Sequence, residues 1–181
     1  GTLIATASVD ATVKLWSTAN WTEKCVIPGH TDLHYTMALS PAGDRIAVAL
    51  NETVIYDTSD GGEIRRLPLY PDRVRQLQFS SDGRQLVSGV DDGWSRLWDI
   101  ETGLALRQVE GGYAVAISPD SRTLVTGNRS GIIAFWDSAS GQQIAASRQH
   151  DGEIIRIAFS ADGHRVVTVG ADTVVCVWDA N

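Results

Sequence analysis

Hydrophobic and polar residues alternate along short stretches of this chain, and glycine, aspartate, serine or proline separates one stretch from the next. Four consecutive examples are Val74–Gln78, Leu86–Val90, Arg96–Ile100 and Ala105–Val109. A period of two over about four to eight residues is typical of β-strands. No stretch of ten or more residues carries the 3.6-residue period of a helix. The pattern therefore predicts an all-β protein.

Two short phrases recur along the chain with a period close to 40 residues. The first is a turn phrase rich in serine, aspartate and glycine, and its copies lie at 39–43, 79–83, 117–121 and 159–163. Aspartate and glycine are suited to a tight hairpin there, since one bonds the turn backbone and the other adopts a left-handed conformation. The second phrase pairs an aromatic residue with aspartate, at Tyr56-Asp57, Trp98-Asp99, Trp136-Asp137 and Trp178-Asp179.

This period, with one aromatic–aspartate pair per unit, resembles the WD-repeat family over essentially the whole chain. The resemblance implies a WD40-type β-propeller, built from four-stranded antiparallel blades with strands lettered A to D from the centre outwards. Three complete blades are expected at 31–70, 71–110 and 111–149. A partial blade at 1–30 holds strands B to D, and another at 150–181 holds strands A to C.

All five units are expected to form one propeller domain. The first unit lacks strand A and the last lacks strand D, so neither completes the other. We therefore expect an arc of a larger ring, with a small four- or five-bladed ring as the alternative. An open arc exposes an apolar blade face at each end, where the rest of a propeller or a second copy would pack.

The resemblance also implies a hydrogen-bonded tetrad in each blade: histidine before strand A, serine or threonine in B, aspartate in the B–C turn and tryptophan in C. The last blade holds all four members, His150, Thr168, Asp172 and Trp178. Three members remain in two other blades: Ser88, Asp92 and Trp98 in one, and Thr6, Asp10 and Trp16 in the other. The departures from the pattern are Tyr56, Tyr70 and Ser130.

A threonine, histidine and aspartate together also suggest a catalytic triad. Nucleophilic catalysis needs an exposed nucleophile and an oxyanion hole, and a threonine inside an apolar strand offers neither. We therefore predict no catalytic residue and no enzyme activity. His30, Asp32 and His34 lie in a loop that runs into a strand, where two histidines four apart do not share a face. No metal is predicted, and no glycine-rich phosphate loop indicates a cofactor.

Function in such a fold is expected on its loops, and one face carries the D–A and B–C connections. Counting positions along the blades places eight candidate partner-binding residues there: Tyr35, Arg73, Arg75, Asp91, Trp94, Tyr113, Arg129 and Glu153. Tyrosine, tryptophan and arginine are enriched at binding hot spots, and arginine holds a carboxylate or phosphate through two hydrogen bonds. Trp94 is assigned to a B–C loop and Trp21 to a C–D loop of the opposite face.

Charge and cysteine content limit the partner classes. A net charge of −7 with only two lysines argues against nucleic acid, whose binding depends on clustered cations. No apolar run reaches the roughly 20 residues that span a bilayer, so no membrane partner is expected. Cys25 and Cys176 are predicted to be buried free thiols. With no export signal at the first residue, they indicate a cytoplasmic protein.

These observations predict a non-catalytic protein-interaction scaffold or receptor module that binds a protein or peptide on the loop face. The excess of arginine over lysine favours a bacterial source. One alternative is a regulatory or sensor segment of a larger bacterial effector, such as an NTPase, kinase or protease. An enzymatic propeller is disfavoured, because the predicted A strands carry few acids or histidines.

Overall fold

The structure, a computed structural model, describes residues 2–28, 36–49, 52–68 and 72–180. Within these ranges the chain forms eighteen β-strands in five antiparallel sheets, and each strand pairs with its neighbours in sequence. The predicted all-β propeller class is confirmed. The described ranges contain no helix long and apolar enough to cross a membrane.

Each sheet is one blade. Blade I contains β1 (Leu3–Ala7), β2 (Val13–Ser17) and β3 (Glu23–Ile27). Blade II contains β4 (Thr36–Leu39), β5 (Arg45–Ala49), β6 (Thr53–Asp57) and β7 (Glu63–Arg66). Blade III contains β8 (Val74–Phe79), β9 (Gln85–Val90), β10 (Trp94–Asp99) and β11 (Ala105–Glu110). Blade IV contains β12 (Ala114–Ile117), β13 (Thr123–Gly127), β14 (Ile132–Asp137) and β15 (Gln143–Arg148). Blade V contains β16 (Ile154–Phe159), β17 (Arg165–Gly170) and β18 (Val175–Asp179).

The core lies between the blades and not inside them. Four buried apolar clusters each join two adjacent blades. Between blades I and II, for example, Val13 and Leu15 pack with Ile46 and Val48, and all four are almost fully buried. Complete burial of such a side chain contributes about 1.5–3 kcal/mol. A blade is therefore stable only beside its neighbour.

The aspartates of the repeated phrases hold the turns. In the turn after β10, an Asp99 carboxylate oxygen accepts the Thr102 amide at 2.7 Å and its hydroxyl at 2.8 Å. In the β12–β13 turn, Asp120 accepts the Ser118 hydroxyl at 2.6 Å and the Arg122 amide at 3.0 Å. Ionised carboxylates accept such bonds strongly. In three of the four aromatic–aspartate pairs the aspartate therefore caps the following turn, and these aspartates are Asp57, Asp99 and Asp137.

The two end blades leave one face without a neighbour among the described residues. On β18, Val175 and Val177 are 60% and 63% exposed, in contrast to the buried residues of inner blades. The chain is a partial propeller, as the sequence predicts. The expectation of buried thiols is wrong: Cys25 and Cys176 are free but only partly buried. They lie on β3, an outermost strand, and on β18, the last strand of an end blade.

The packing of blade IV on blade V predicts a cost for any side chain at Gly127. A Cβ atom there would lie 2.7 Å from Cβ of Ile154. Gly127→Ala should lower the free energy of unfolding by about 1–3 kcal/mol, the usual cost of overpacking, as measured by urea denaturation. The matched control is Gly62→Ala in an exposed turn, expected to change stability by less than about 0.5 kcal/mol. Equal stability of the two variants would contradict this packing.

The turn aspartates predict a loss of stability in acid. Hydrogen bonds from turn donors hold the pKa of seven described aspartates below the usual value; they are Asp10, Asp57, Asp82, Asp99, Asp120, Asp137 and Asp162. A depressed folded-state pKa stabilises the fold above the unfolded-state pKa of about 3.9. That stability is lost as the pH falls through the folded-state pKa values.

Urea midpoints should therefore be level between about pH 7 and 5 and fall below about pH 4. Asp120→Asn should weaken this dependence, because it removes one of the titrating turn caps. Asp151→Asn is the control, since the Asp151 carboxylate accepts no hydrogen bond from a described residue. A midpoint that rises on acidification would contradict the assignment.

Candidate partner-binding site

One side-chain hydrogen bond ties strand C to strand B in four of the five described blades. The indole N–H of the strand C tryptophan donates to a serine or threonine hydroxyl of strand B, over 2.9 to 3.0 Å. The pairs are Trp16–Thr6, Trp98–Ser88, Trp136–Thr126 and Trp178–Thr168. An unpaired buried indole N–H would cost free energy. This bond therefore fixes the orientation of the indole ring and holds strand C to strand B in these four blades.

Blade V extends the bond into a four-residue network. His150 places Nε2 2.8 Å from the Thr168 hydroxyl and Nδ1 3.1 Å from both oxygens of Asp172. Since the carboxylate can only accept, Nδ1 carries the proton, and the Thr168 hydroxyl donates to Nε2. Thr168 has no exposed surface. Its oxygen is occupied by Trp178 and His150, so the set acts as a strut and presents no nucleophile.

The charge of Asp172 is held by this network. Desolvation raises the pKa of Asp172, but hydrogen bonds from the Val174 amide, His150 and the Asp151 amide outweigh it. The net pKa lies below its usual value. The carboxylate is therefore ionised at neutral pH and can accept all three donors.

The other blades use their aspartates differently. Asp10 accepts the amide and hydroxyl of Thr12, at 3.1 and 2.6 Å. Asp92 accepts the Trp94 amide at 2.9 Å and pairs with Arg96 at 2.5 Å. Neither carboxylate is linked to the strand B hydroxyl of its blade through a described histidine, as Asp172 is linked to Thr168 through His150. The histidine positions before strand A of blades II and III hold His30 and Tyr70. Both residues lie outside the described residues, as do Asp32, His34 and Tyr35.

Blade IV replaces the histidine with a shorter connection. Three residues join β11 to β12, against five between β15 and β16. The hydroxyl of Thr126 donates to the Glu110 carbonyl at 2.8 Å, where Thr168 of blade V meets an imidazole. A Cβ atom on Gly112 would lie 2.0 Å from the Val90 carbonyl oxygen. Only glycine fits so close to the backbone, so this connection lies directly against the β9–β10 turn, low between blades III and IV.

A cleft of about 430 Å³ opens above this low connection. Its walls are the β9–β10 turn, the β11–β12 connection and the β13–β14 turn. The lining residues are Asp91, Asp92, Gly93, Trp94, Glu110, Gly111, Gly112, Tyr113, Asn128, Arg129 and Ser130. Four of the eight predicted partner-binding residues line it, and they are Asp91, Trp94, Tyr113 and Arg129.

The Tyr113 ring contacts two guanidinium groups beside the cleft. The Arg129 and Arg75 guanidinium carbons are 4.4 and 5.4 Å from the ring centroid. Arg75 also pairs with Asp91 at 2.7 Å, which raises the pKa of Arg75. Tyr113 is only 5% exposed, and its hydroxyl has no hydrogen-bond partner among the described residues. The ring is therefore a rigid platform beside the cleft.

Trp94 and Glu110 form the opposite wall. They are directly opposed in the register of β10 and β11, which places their side chains next to each other on one face. The assignment of Trp94 to a loop is wrong: it is the first residue of β10, because Asp92 and Gly93 complete the turn before it. The indole is 36% exposed and faces solvent at the cleft.

The remaining predicted residues lie near the cleft or away from it. Arg73 is partly buried, and its carbonyl accepts the Asp91 amide at 2.9 Å. Glu153 precedes β16, and its charge adds to the raised pKa of Arg75. Trp21 lies in the β2–β3 turn and is 70% exposed. No described group of three histidines, cysteines or acidic residues has the geometry of a metal site.

The cleft lining also includes Glu110, Asn128 and Ser130, which the positions along the sequence did not predict as partner-binding residues. Asn128 holds the β13–β14 turn, since its side-chain oxygen accepts the amides of Ser130 and Ile132 at 2.9 and 3.0 Å. The sequence does carry one signal for the cleft, the Gly111-Gly112 pair where the last unit has a longer loop that carries His150. Two fewer residues and no side chain indicate a local gap in the loop face.

Comparison with known proteins adds the family context. The family model described as WD domain, G-beta repeat matches residues 1–17, 61–99, 109–137 and 141–179. Autophagy-related protein 16 of Arabidopsis thaliana is 27% identical over 99% of this chain and 36% of its own length. The APC/C activator protein CDC20 of Saccharomyces cerevisiae is 28% identical over 84% of this chain and 26% of its own length. WD repeat-containing protein slp1 of Schizosaccharomyces pombe is 30% identical, with coverages of 84% and 33%.

A solved structure has the same arrangement of blades. The computationally designed Ika8 protein superposes with a TM-score of 0.81 at 27% identity, covering 99% of this chain and 56% of that one. The chain thus spans between about a quarter and just over a third of the length of these curated relatives and just over half of this solved structure.

The blade V network predicts a specific cost for losing its hydroxyl. Thr168→Val keeps the shape but removes the acceptor of Trp178 and the donor to His150. It should lower the free energy of unfolding by about 1–3 kcal/mol, the cost of unpaired buried polar groups. Thr168→Ser, which keeps the hydroxyl, is the matched control and should lose less. The strut assignment fails if urea denaturation gives the valine variant wild-type stability.

Proposed function

Since this chain belongs to the WD domain, G-beta repeat family, we propose that it is a non-catalytic interaction module that binds a protein or peptide. The partner occupies the cleft between blades III and IV. The observation that carries this proposal is the cleft itself, where an exposed tryptophan and an exposed arginine flank a rigid, nearly buried tyrosine. Tryptophan, tyrosine and arginine are the residues that dominate binding hot spots.

The relatives support the same class of function. One of them, the Saccharomyces cerevisiae protein, is named as an activator of APC/C, and this name describes action on a protein assembly. The buried Thr168 hydroxyl supports a non-catalytic role, because no substrate reaches it. The two free thiols support a cytoplasmic location. A bacterial source stays a prediction, and the curated relatives named above come from a plant and two yeasts.

The charge pattern supports protein over nucleic acid or membrane. The cleft lining contains three carboxylates and one arginine, and the whole chain has a net charge of −7. Nucleic-acid backbones and anionic lipid surfaces require clustered cations. A peptide supplies both apolar and polar groups to match the tryptophan and the charges. The alternative, a regulatory segment of a larger effector, uses the same cleft and differs in what the rest of the protein does.

The proposal predicts where peptides bind and which tryptophan matters. Peptides should be selected from an unbiased random library against the whole chain, and their binding mapped by backbone amide NMR shifts. The shifts should concentrate at 91–94, 110–113 and 128–130. Trp94→Ala should weaken binding about tenfold, the range of a hot-spot residue.

Trp21→Ala is the matched control, because Trp21 is an exposed tryptophan in the β2–β3 turn. It should leave the affinity unchanged. Shifts concentrated on the β12–β13 or β2–β3 turns, or equal losses in the two variants, would rule out the cleft as the binding site.

A further inference from the structure

Two charges in the cleft are left unneutralised once its internal ion pairs are formed. Asp91 pairs with Arg75 and Asp92 with Arg96, at 2.7 and 2.5 Å. The remaining charged residues of the lining are Arg129 and Glu110. Both are exposed, and neither makes an ion pair with a described residue. The cleft therefore offers one cation and one anion to a ligand.

We propose that the cleft binds a peptide segment of opposite polarity, with a carboxylate side chain on Arg129 and a basic side chain between Trp94 and Glu110. This inference rests on the proposed function and specifies its ligand. The acidic side chain of the ligand contacts one wall of the cleft, and its basic side chain contacts the opposite wall.

The anionic half fits Arg129. Stacking on Tyr113 at 4.4 Å orients the planar guanidinium and leaves its N–H edge for an acceptor. A carboxylate meets that edge with two parallel hydrogen bonds. The Tyr113 hydroxyl has almost no exposed surface, so Tyr113 serves as the support of Arg129 and the ligand contact is made by the guanidinium.

The cationic half fits the opposite wall. Trp94 and Glu110 face each other across β10 and β11, which sets an indole beside a carboxylate. A lysine or arginine is attracted to the face of an indole ring and pairs with a carboxylate at the same time. The side-chain stem of such a residue also covers the exposed part of the indole.

The balance of charge favours a carboxylate over a phosphate. A phosphate group carries about −1.5 to −2 at neutral pH. With Asp91 and Asp92 paired to arginines, the lining offers one unpaired carboxylate, Glu110, against Arg129, and it contains no lysine. Repulsion grows with the charge of the ligand, whereas a single negative charge is matched by Arg129 alone. We therefore assign an aspartate or glutamate side chain to this position.

The test uses the peptides selected from the random library. Enriched sequences should contain an acidic and a basic residue at a constant spacing. Arg129→Gln and Glu110→Gln should each weaken binding about tenfold in fluorescence polarisation, the range of a hot-spot residue. Arg122→Gln is the matched control, an exposed arginine in the β12–β13 turn away from the cleft. It should leave binding unchanged.

Two further arms separate the possible ligands. Replacing the selected acidic residue with phosphoserine should weaken binding, and tighter binding would overturn the carboxylate assignment in favour of a phosphopeptide. The double variant Arg129→Glu with Glu110→Arg should prefer the peptide with its two charges exchanged. Peptides that bind at the cleft without regard to Arg129 and Glu110 would overturn this inference and leave the proposed function standing. Peptides that bind elsewhere would contradict the proposed function itself.

Discussion

Burial of one blade face against the next is the constraint on which the rest of this structure depends. The strands of each blade form a single sheet, and the apolar clusters lie between sheets. No described blade therefore has a core of its own. A sheet with two apolar faces is stable only when both are covered. The strand order, the close glycine contacts and the exposed outer face of β18 all follow from this stacking.

The loop face depends on how each blade satisfies its polar groups. In every described blade with a strand C tryptophan, a hydroxyl accepts a hydrogen bond from the indole N–H, and this holds strand C to strand B. Blade V then uses His150 and Asp172 to fill the space above that hydroxyl. Blade IV uses a backbone carbonyl in place of the histidine, so its connection is lower and the space stays open. The cleft is thus the consequence of a simplified tetrad.

Much of the fold follows from the sequence. The spacing of Trp98 and Trp136 from their turn phrases defined the strands, since period and turn chemistry are local properties. The cleft was only partly foreseeable. The sequence pattern assigns Trp94 to a loop. In the structure the turn ends at Gly93, because the Asp92 carboxylate accepts the Trp94 amide, and a local pattern does not show that hydrogen bond. The pairing of Arg75 with Asp91, and the burial of Tyr113, arise from contacts between residues far apart in sequence, which no local pattern records.

A crystal structure of the chain with a library-selected peptide would show whether a partner binds in the gap left by Gly111-Gly112. We expect peptide density between Trp94 and Arg129, with a peptide carboxylate on the guanidinium and a basic side chain beside Glu110. A peptide paired as an extra strand along the free edge of β18, with the cleft empty, would contradict this expectation.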